Sequence, residues 1–244
     1  LPLTKVKQPN RVSDKIPPPH IGTLNEKSLH AALKLRIARP NDEFEVRVGR
    51  YVIDIVRDDL LIEIQTRNFS AIKRKLNNLV ENHRVHLVYP IAAEKWIVKL
   101  PKDEDDSGSR RKSPKRGQIA DIFYELVRMP TIIQHPNFTL QVLLIQEEEI
   151  RRFDGNRGWR RKGWVTEERL LLDIVANHTF NTPQDFAELL PPDLLDTFTT
   201  SDIANTSGLS KRLVGKMAYC LREIGIIEVV GKRRNSILYR PTSS

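Results

Sequence analysis

The stretch Tyr51-Val52-Ile53-Asp54-Ile55-Val56-Arg57-Asp58-Asp59-Leu60-Leu61-Ile62-Glu63-Ile64-Gln65 constrains the fold more than any other part of the chain. β-Branched residues fill two runs, and Asp58-Asp59 is the polar break between them. This is the pattern of two strands joined by a tight turn. With Asp58 and Asp59 as turn residues, Arg57 faces Leu60, Val56 faces Leu61, Ile55 faces Ile62 and Asp54 faces Glu63. Side chains alternate between faces along a strand, so Asp54, Glu63 and Gln65 share one face. Opposed carboxylates on adjacent strands repel, and burial among isoleucines raises the cost of holding both charges. A divalent cation between them removes the conflict. Mg2+ takes one or two carboxylates and completes its shell with waters and phosphate oxygens. The hairpin is therefore a candidate metal site for phosphodiester chemistry. The same residues also admit an ordinary hairpin with solvent-facing acids, because a one-residue slip exchanges the two faces.

The remaining totals narrow the class. The chain has 244 residues, enough for one large or two small domains. Its net charge of +9 favours an anionic partner such as nucleic acid or an acidic surface. Cys220 is the single cysteine, which excludes an internal disulfide and a Cys-based zinc cluster and fits a reducing compartment. No apolar run approaches a membrane span, and no signal peptide is visible, so a cytoplasmic, non-secreted protein with no membrane partner is expected. No phosphate-cradling glycine loop or nucleophile motif points to another enzyme class.

Residues 1–20 form a polar, basic arm ending in Pro17-Pro18-Pro19. The spacing of Leu24, Leu29, Leu33 and Ile37 predicts a helix over Leu24–Ile37, with Glu26 in its first turn, where the dipole favours an acid. Phe44–Val48 reads as a strand. Asn68 or Ser70 can cap a helix through Val80, with Ile72, Leu76 and Leu79 as its apolar stripe and Lys73, Arg74 and Lys75 near its start. Val85–Tyr89 reads as a strand stopped by Pro90, and Lys95–Leu100 as a further one. This order predicts an α/β domain with a mixed sheet over residues 21–165, and a crossover from Glu63 to Val85 makes two strands parallel. Residues 102–117 read as a charged linker whose bases Arg110, Arg111, Lys112, Lys115 and Arg116 either touch phosphate or lie in solvent. Gln118–Val127 is predicted helical, and Phe138–Ile145 extends the sheet. In Arg157–Trp164, bases interleaved with two tryptophans fit either nucleic-acid binding by charge and stacking or a β-turn whose tryptophans fold inward; the second is expected for the rings, and phosphate contact for Arg160, Arg161 and Lys162. Thr166 is expected to cap a helix to His178 built on Leu170, Leu171, Ile174 and Val175, opening a second domain over 166–244. Pro183–Leu190 is a shorter predicted helix.

The C-terminal block has a short helix over Ser201–Thr206 and a turn at Ser207-Gly208. A long helix follows over Ser210–Ile224, then two strands around Gly231-Lys232-Arg233-Arg234-Asn235. Over about Thr182–Arg240 this resembles a winged helix-turn-helix domain, in which the second helix enters the major groove and the wing touches backbone or minor groove. Lys211, Arg212, Lys216, Tyr219 and Arg222 fall away from the apolar stripe, and Lys232, Arg233 and Arg234 sit at the wing tip, so these are the expected DNA contacts. Winged helices also serve as protein–protein modules.

The N-terminal block resembles the PD-(D/E)XK nuclease superfamily, the restriction-endonuclease-like fold, from about Thr23 to Tyr89 and more loosely to Glu149. The family pattern is a helical Glu, a strand Asp and then Glu-x-Lys, here Glu26, Asp54 and Glu63-Ile64-Gln65. The resemblance implies that Asp54, Glu63 and the Ile64 carbonyl hold Mg2+ or Mn2+, with Glu26 binding directly or through water. Gln65 departs from the family Lys and removes a fixed positive charge, as in some members. Lys73 is a candidate to supply that charge. The order of a nuclease-like domain and then a winged helix is also similar to the endonuclease subunit of some heteromeric cut-and-paste transposases, an analogy of layout alone.

The sequence thus reads as a metal-dependent DNA endonuclease hydrolysing phosphodiester bonds, with a winged helix positioning the duplex. Cutting both strands calls for two active sites, hence a homodimer or a partner protein. The alternative is a catalytically inactive nuclease-fold assembly or regulatory protein, in which a base relieves Asp54 and Glu63. A third reading is a winged-helix regulator with a ligand-sensing N-terminal domain.

Overall fold

A computed structural model describes residues 28–157 and 159–242. The basic arm, Leu24 and Glu26 lie outside these residues. The first described elements are α1 (Ser28–Ile37) and β1 (Glu43–Val48). The hairpin follows as β2 (Tyr51–Arg57) and β3 (Leu60–Ile64), with the register that an Asp58-Asp59 turn dictates through Ile55 opposite Ile62. Asp58 takes a φ of 52°, as a two-residue hairpin turn requires.

A 3-10 turn over Phe69–Ala71, capped by the Asn68 side chain, leads into α2 (Lys73–Val80). Then come β4 (Arg84–Lys99), β5 (Ser109–Lys112), α3 (Phe123–Leu126), β6 (Phe138–Phe153) and β7 (Trp164–Phe180). The chain closes with α4 (Thr200–Ser207), α5 (Lys211–Glu223) and the hairpin β8 (Ile227–Arg233) and β9 (Ser236–Pro241). Among the described residues, seven strands form one mixed sheet ordered β1-β2-β3-β4-β6-β7, with β5 added on β4. β3, β4 and β6 run parallel, and the rest pair antiparallel. The architecture is mixed α/β around a large mixed sheet. No described helix is long and apolar enough to cross a membrane.

Two apolar cores flank the sheet. Leu29 and Leu33 of α1 pack on Ile55, Ile62, Ile64, Val88, Leu143 and Ile145. The larger core runs from Ile53, Leu61, Leu76 and Leu79 through Phe123 and Phe186 to Leu213, Met217 and Leu221. Phe186 stacks on Phe180 at 4.0 Å. The C-terminal helices therefore share one continuous core with the sheet. α4 starts with a reciprocal cap: Asp202 Oδ2 accepts from the Thr199 N–H at 2.7 Å, and Thr199 Oγ1 accepts from the Asp202 N–H at 3.3 Å.

Several sequence expectations need correction. The predicted helix over Thr166–His178 is the middle of strand β7, so residues 166–180 belong to the sheet and not to a C-terminal unit. β7 carries extra residues at Glu167, Leu172 and Val175, where its register against β6 shifts. Each bulge re-phases the two-residue alternation, and the surviving apolar spacing imitates a helix. Pro90 does not end a strand. Gln65 N–H donates to the Val88 carbonyl, so Val88 and Pro90 both face the β3 side, and β3 has already ended there. The missing proline donor therefore breaks no rung. The basic half of the 102–117 linker is β5, paired with β4 at Trp96–Lys99. The predicted Gln118–Val127 helix is a 3-10 segment, Ile119–Ile122, followed by the single turn of α3. Pro183–Leu189 is also 3-10. Of the two loop tryptophans, Trp164 is buried as expected, whereas Trp159 is 80% exposed. Gly231, Lys232 and Arg233 lie within β8, which leaves Arg234 and Asn235 as the turn.

Candidate functional site

The hairpin ladder stops at Ile55 opposite Ile62. Beyond it, the two carboxylates take over as the polar links between strands. Asp54 Oδ2 accepts from the Ile64 N–H at 2.8 Å, and the Asp54 N–H in turn bonds the Glu63 carboxylate. Ile53 packs in the core beneath α2 and Ile55 in the core beneath α1. Regular alternation would put both on one side, so β2 twists at Asp54. The distortion reaches β1, where Glu45 stands opposite Asp54 with a φ of 55°. Such a conformation costs free energy outside glycine and concentrates at functional sites.

Each acid has a cationic or ionisable neighbour. His30 Nε2 of α1 lies 3.2 Å from Asp54 Oδ2. Lys75 of α2 is ion-paired with Glu63 Oε1 and donates to the Val52 carbonyl at 2.5 Å. Burial raises the Asp54 pKa, but the His30 contact, the Ile64 N–H and the Lys75 charge together bring it below the ordinary value. Glu63 behaves oppositely. Burial and then the Asp54 charge push it up to about 7, against the opposing pull of Lys75. The pair thus sits close enough to repel, as the hairpin register implied.

These residues fit a hard divalent cation. A buried carboxylate raised by its neighbour gains from an added positive charge. Ile64 sends its N–H towards β2, and along a strand a residue's carbonyl points the same way. The Ile64 carbonyl therefore faces the same fork as Asp54 and Glu63. Among the described residues, no three His, Cys, Asp or Glu side chains form a ligand cluster. The described donor set is two carboxylates and one carbonyl, and Glu26 is outside the described residues.

Gln65 and Lys73 do not join this group. Gln65 Nε2 donates to the Asn68 carbonyl at 3.0 Å, bracing the loop after β3. Lys73 Nζ donates to the Arg128 carbonyl at 3.0 Å, on the exposed side of α2. The cation at the carboxylates is Lys75, two residues further on. His30 and Lys75 were not singled out from the sequence. Lys75 carried a signal, since it falls three residues after Ile72 and four before Leu79, on the buried stripe itself. His30 and Lys34 are likewise four apart beside the apolar pair Leu29 and Leu33. Lys34 is buried and donates to Glu45 at 3.1 Å.

The basic residues divide by their partners. On α5, Lys211, Arg212, Tyr219 and Arg222 are exposed and Lys216 is half-buried, with Arg222 over the Tyr219 ring at 5.5 Å. Lys232 and Arg234 are exposed on the β8–β9 hairpin, but Arg233 is ion-paired with Asp202 at the start of α4. Arg110 pairs with Glu148 at 2.6 Å, Lys112 with Glu94 at 2.8 Å, and Arg116 also with Glu94. Arg110 and Lys112 lie over the Trp96 ring. Arg111 and Lys115 are exposed. Arg160 lies over Trp159 at 5.1 Å, Arg161 pairs with Glu149 at 3.1 Å, and Lys162 is exposed on a turn.

An uncharacterized protein from Treponema pallidum (strain Nichols) is 29% identical to this chain over 222 residues, covering 90% of this chain and 87% of the relative. No solved structure matches the chain. A family model described as a domain of unknown function (DUF8091) matches residues 27–181. That span includes α1 and every strand of the large sheet and ends one residue beyond β7. The chain belongs to this family, the domain of unknown function DUF8091.

Proposed function

We propose that this protein is a metal-dependent DNA endonuclease of the PD-(D/E)XK type, with α4, α5 and the β8–β9 hairpin acting as a winged helix that holds the duplex. The observation that carries the reading is the fork after Ile55 and Ile62. There Asp54 and Glu63 replace the ladder, and Lys75 stands on Glu63.

Asp54, Glu63 and the Ile64 carbonyl would hold Mg2+ or Mn2+. The ion supplies Lewis acidity at a phosphate oxygen and favours the ionised form of a nearby water. Lys75 takes the role of the family lysine missing at Gln65. It keeps a fixed positive charge at the carboxylates and can stabilise the charge that develops on the phosphate during in-line attack. His30, whose Nε2 lies 3.2 Å from Asp54 Oδ2, donates to that carboxylate and orients it. The exposed face of α5 offers Lys211 and Arg212 at its first turn, where a recognition helix meets DNA.

Cleavage of duplex, nicked, branched and single-stranded DNA with Mg2+ or Mn2+, run beside Asp54→Ala, tests this. Wild-type products ending in 3′-hydroxyl and 5′-phosphate, absent from the variant, support it. DNA binding with no cutting of any form, even alongside co-purified partner proteins, contradicts it. One observation favours the second reading, a non-catalytic DNA-binding or assembly protein: the Lys75 ion pair already relieves the buried acids without a metal.

A further inference from the structure

A second polar constellation lies past the end of β3, built by the long halves of β4, β6 and β7. The face of β6 that carries Leu143 and Ile145 beneath α1 continues as Glu147 and Glu149, both buried. Neither acid is free to act. Arg169 grips Glu147 Oε2 through Nε at 2.9 Å and Nη2 at 2.5 Å, and Lys95 reaches Glu147 Oε1 at 2.9 Å. Lys95 also reaches Glu149 Oε2 at 3.0 Å, while Arg151, Arg161 and Thr166 converge on Glu149 Oε1 at 2.8, 3.1 and 2.9 Å. Burial would raise the Glu149 pKa, yet these partners hold it at about 2. Two carboxylates thus fix four cations, which leaves the network with excess positive charge.

This network lines one wall of a cleft of about 960 Å³. The segment carrying Lys115, Gly117 and Tyr124 also lines the cleft. Gly117 brings that segment close, because its N–H bonds the Ala92 carbonyl at 2.9 Å and a Cβ there would stand 2.5 Å from the same oxygen. The lining holds seven Lys or Arg side chains against three acids. Two of those acids are engaged by backbone, Glu125 by the Phe69 N–H and Asp121 by the Gln118 N–H. Trp159 stands in the lining with its ring 80% exposed.

We propose that this cleft binds a single DNA strand, with phosphates on Lys95, Arg151, Arg161 and Arg169 and a base stacked on Trp159. Arg151 and Arg169 are only 15% exposed and lie recessed within the cleft. A threaded single strand reaches such groups, whereas a duplex backbone meets side chains that protrude. An exposed indole gains most from a base whose face is free, and bases in a duplex are already stacked. Arg169 Nη1 also donates to the Thr66 carbonyl at 3.3 Å, tying the network to the loop that leaves the candidate carboxylate site. The binding needs no metal and stands apart from cleavage.

The test uses the full chain in EDTA. Fluorescein-labelled oligothymidylate is titrated by anisotropy beside a duplex of equal length and thymidine monophosphate, with tryptophan emission followed in parallel. The expected result is oligothymidylate binding with quenched emission, weakened roughly tenfold by Trp159→Ala and by Lys115→Glu. Both changes are at exposed positions, so folding is preserved. If either variant binds as wild type does, or if the mononucleotide binds as tightly as the oligonucleotide, the assignment is wrong. Tighter binding of the duplex than of the single strand also overturns it.

Discussion

Lys75 places its ammonium on the Glu63 carboxylate and donates at the same time to the Val52 carbonyl at 2.5 Å, so one side chain joins α2 to both strands of the hairpin. It supplies the positive charge that Gln65, turned to the Asn68 carbonyl, does not. Lys75→Met is therefore expected to lower the cleavage rate by about a hundredfold, the scale for losing one preorganised charge-stabilising donor. Lys73→Met, on the exposed side of α2, should leave the rate within about threefold of wild type, as surface changes usually do. Single-turnover cleavage rates of the two variants decide the matter. Equal losses would remove Lys75 from its role.

Gln65 provides the complementary case. Gln65→Ala is expected to keep cleavage within about tenfold of wild type, since it removes a loop hydrogen bond and not a charge. A loss as deep as that of Lys75→Met would return the role to Gln65.

The acid pair makes stability depend on pH. The Glu63 pKa is about 7 when folded, against an ordinary 4.5. Between these values the folded state binds the extra proton, so stability falls as pH rises through this window. Asp54, whose pKa is lowered, acts in the opposite sense at more acid pH. Denaturant melts across pH should show the decline in wild type and a flatter profile in Glu63→Gln. An identical slope in both would show that Glu63 is ionised throughout.

On α5, the exposed run Lys211, Gly215, Tyr219 and Arg222 leaves Gly215 with open space where a side chain would sit. Glycine inside a helix costs about 1 kcal/mol relative to alanine, so Gly215→Ala should stabilise the fold by about that amount. If a DNA backbone lies on this face, Lys211→Glu should weaken duplex binding and reduce the salt slope by about one. Arg233→Ala should instead cost about 0.5 kcal/mol of stability through its lost pairing with Asp202. Duplex affinity measured over a range of salt separates these effects.

The parts of the fold that were legible are those where one rule acts alone. The Asp58-Asp59 turn set the hairpin register, and Asn68, one of the two residues expected to cap the next helical segment, accepts the Ser70 N–H. β7 was hidden because three bulges interrupt its alternation. Pro90 misled because its effect depends on where the neighbouring strand ends, which no local pattern states. At the candidate site, Asp54 and Glu63 were visible as an opposed pair. Lys75 and His30 come from helices on either side of the hairpin, and only the packing reveals which of several nearby bases arrives.

The most direct test of the carboxylate site is calorimetric titration of Mn2+ into wild type, Asp54→Ala and Glu63→Gln near neutral pH, repeated in buffers of different ionisation enthalpy. Wild type is expected to bind one ion and to release the proton that Glu63 partly holds. Asp54→Ala should bind far more weakly, and Glu63→Gln should bind without that proton release. Equal Mn2+ affinity and equal proton release in all three proteins would rule out a metal site at Asp54 and Glu63.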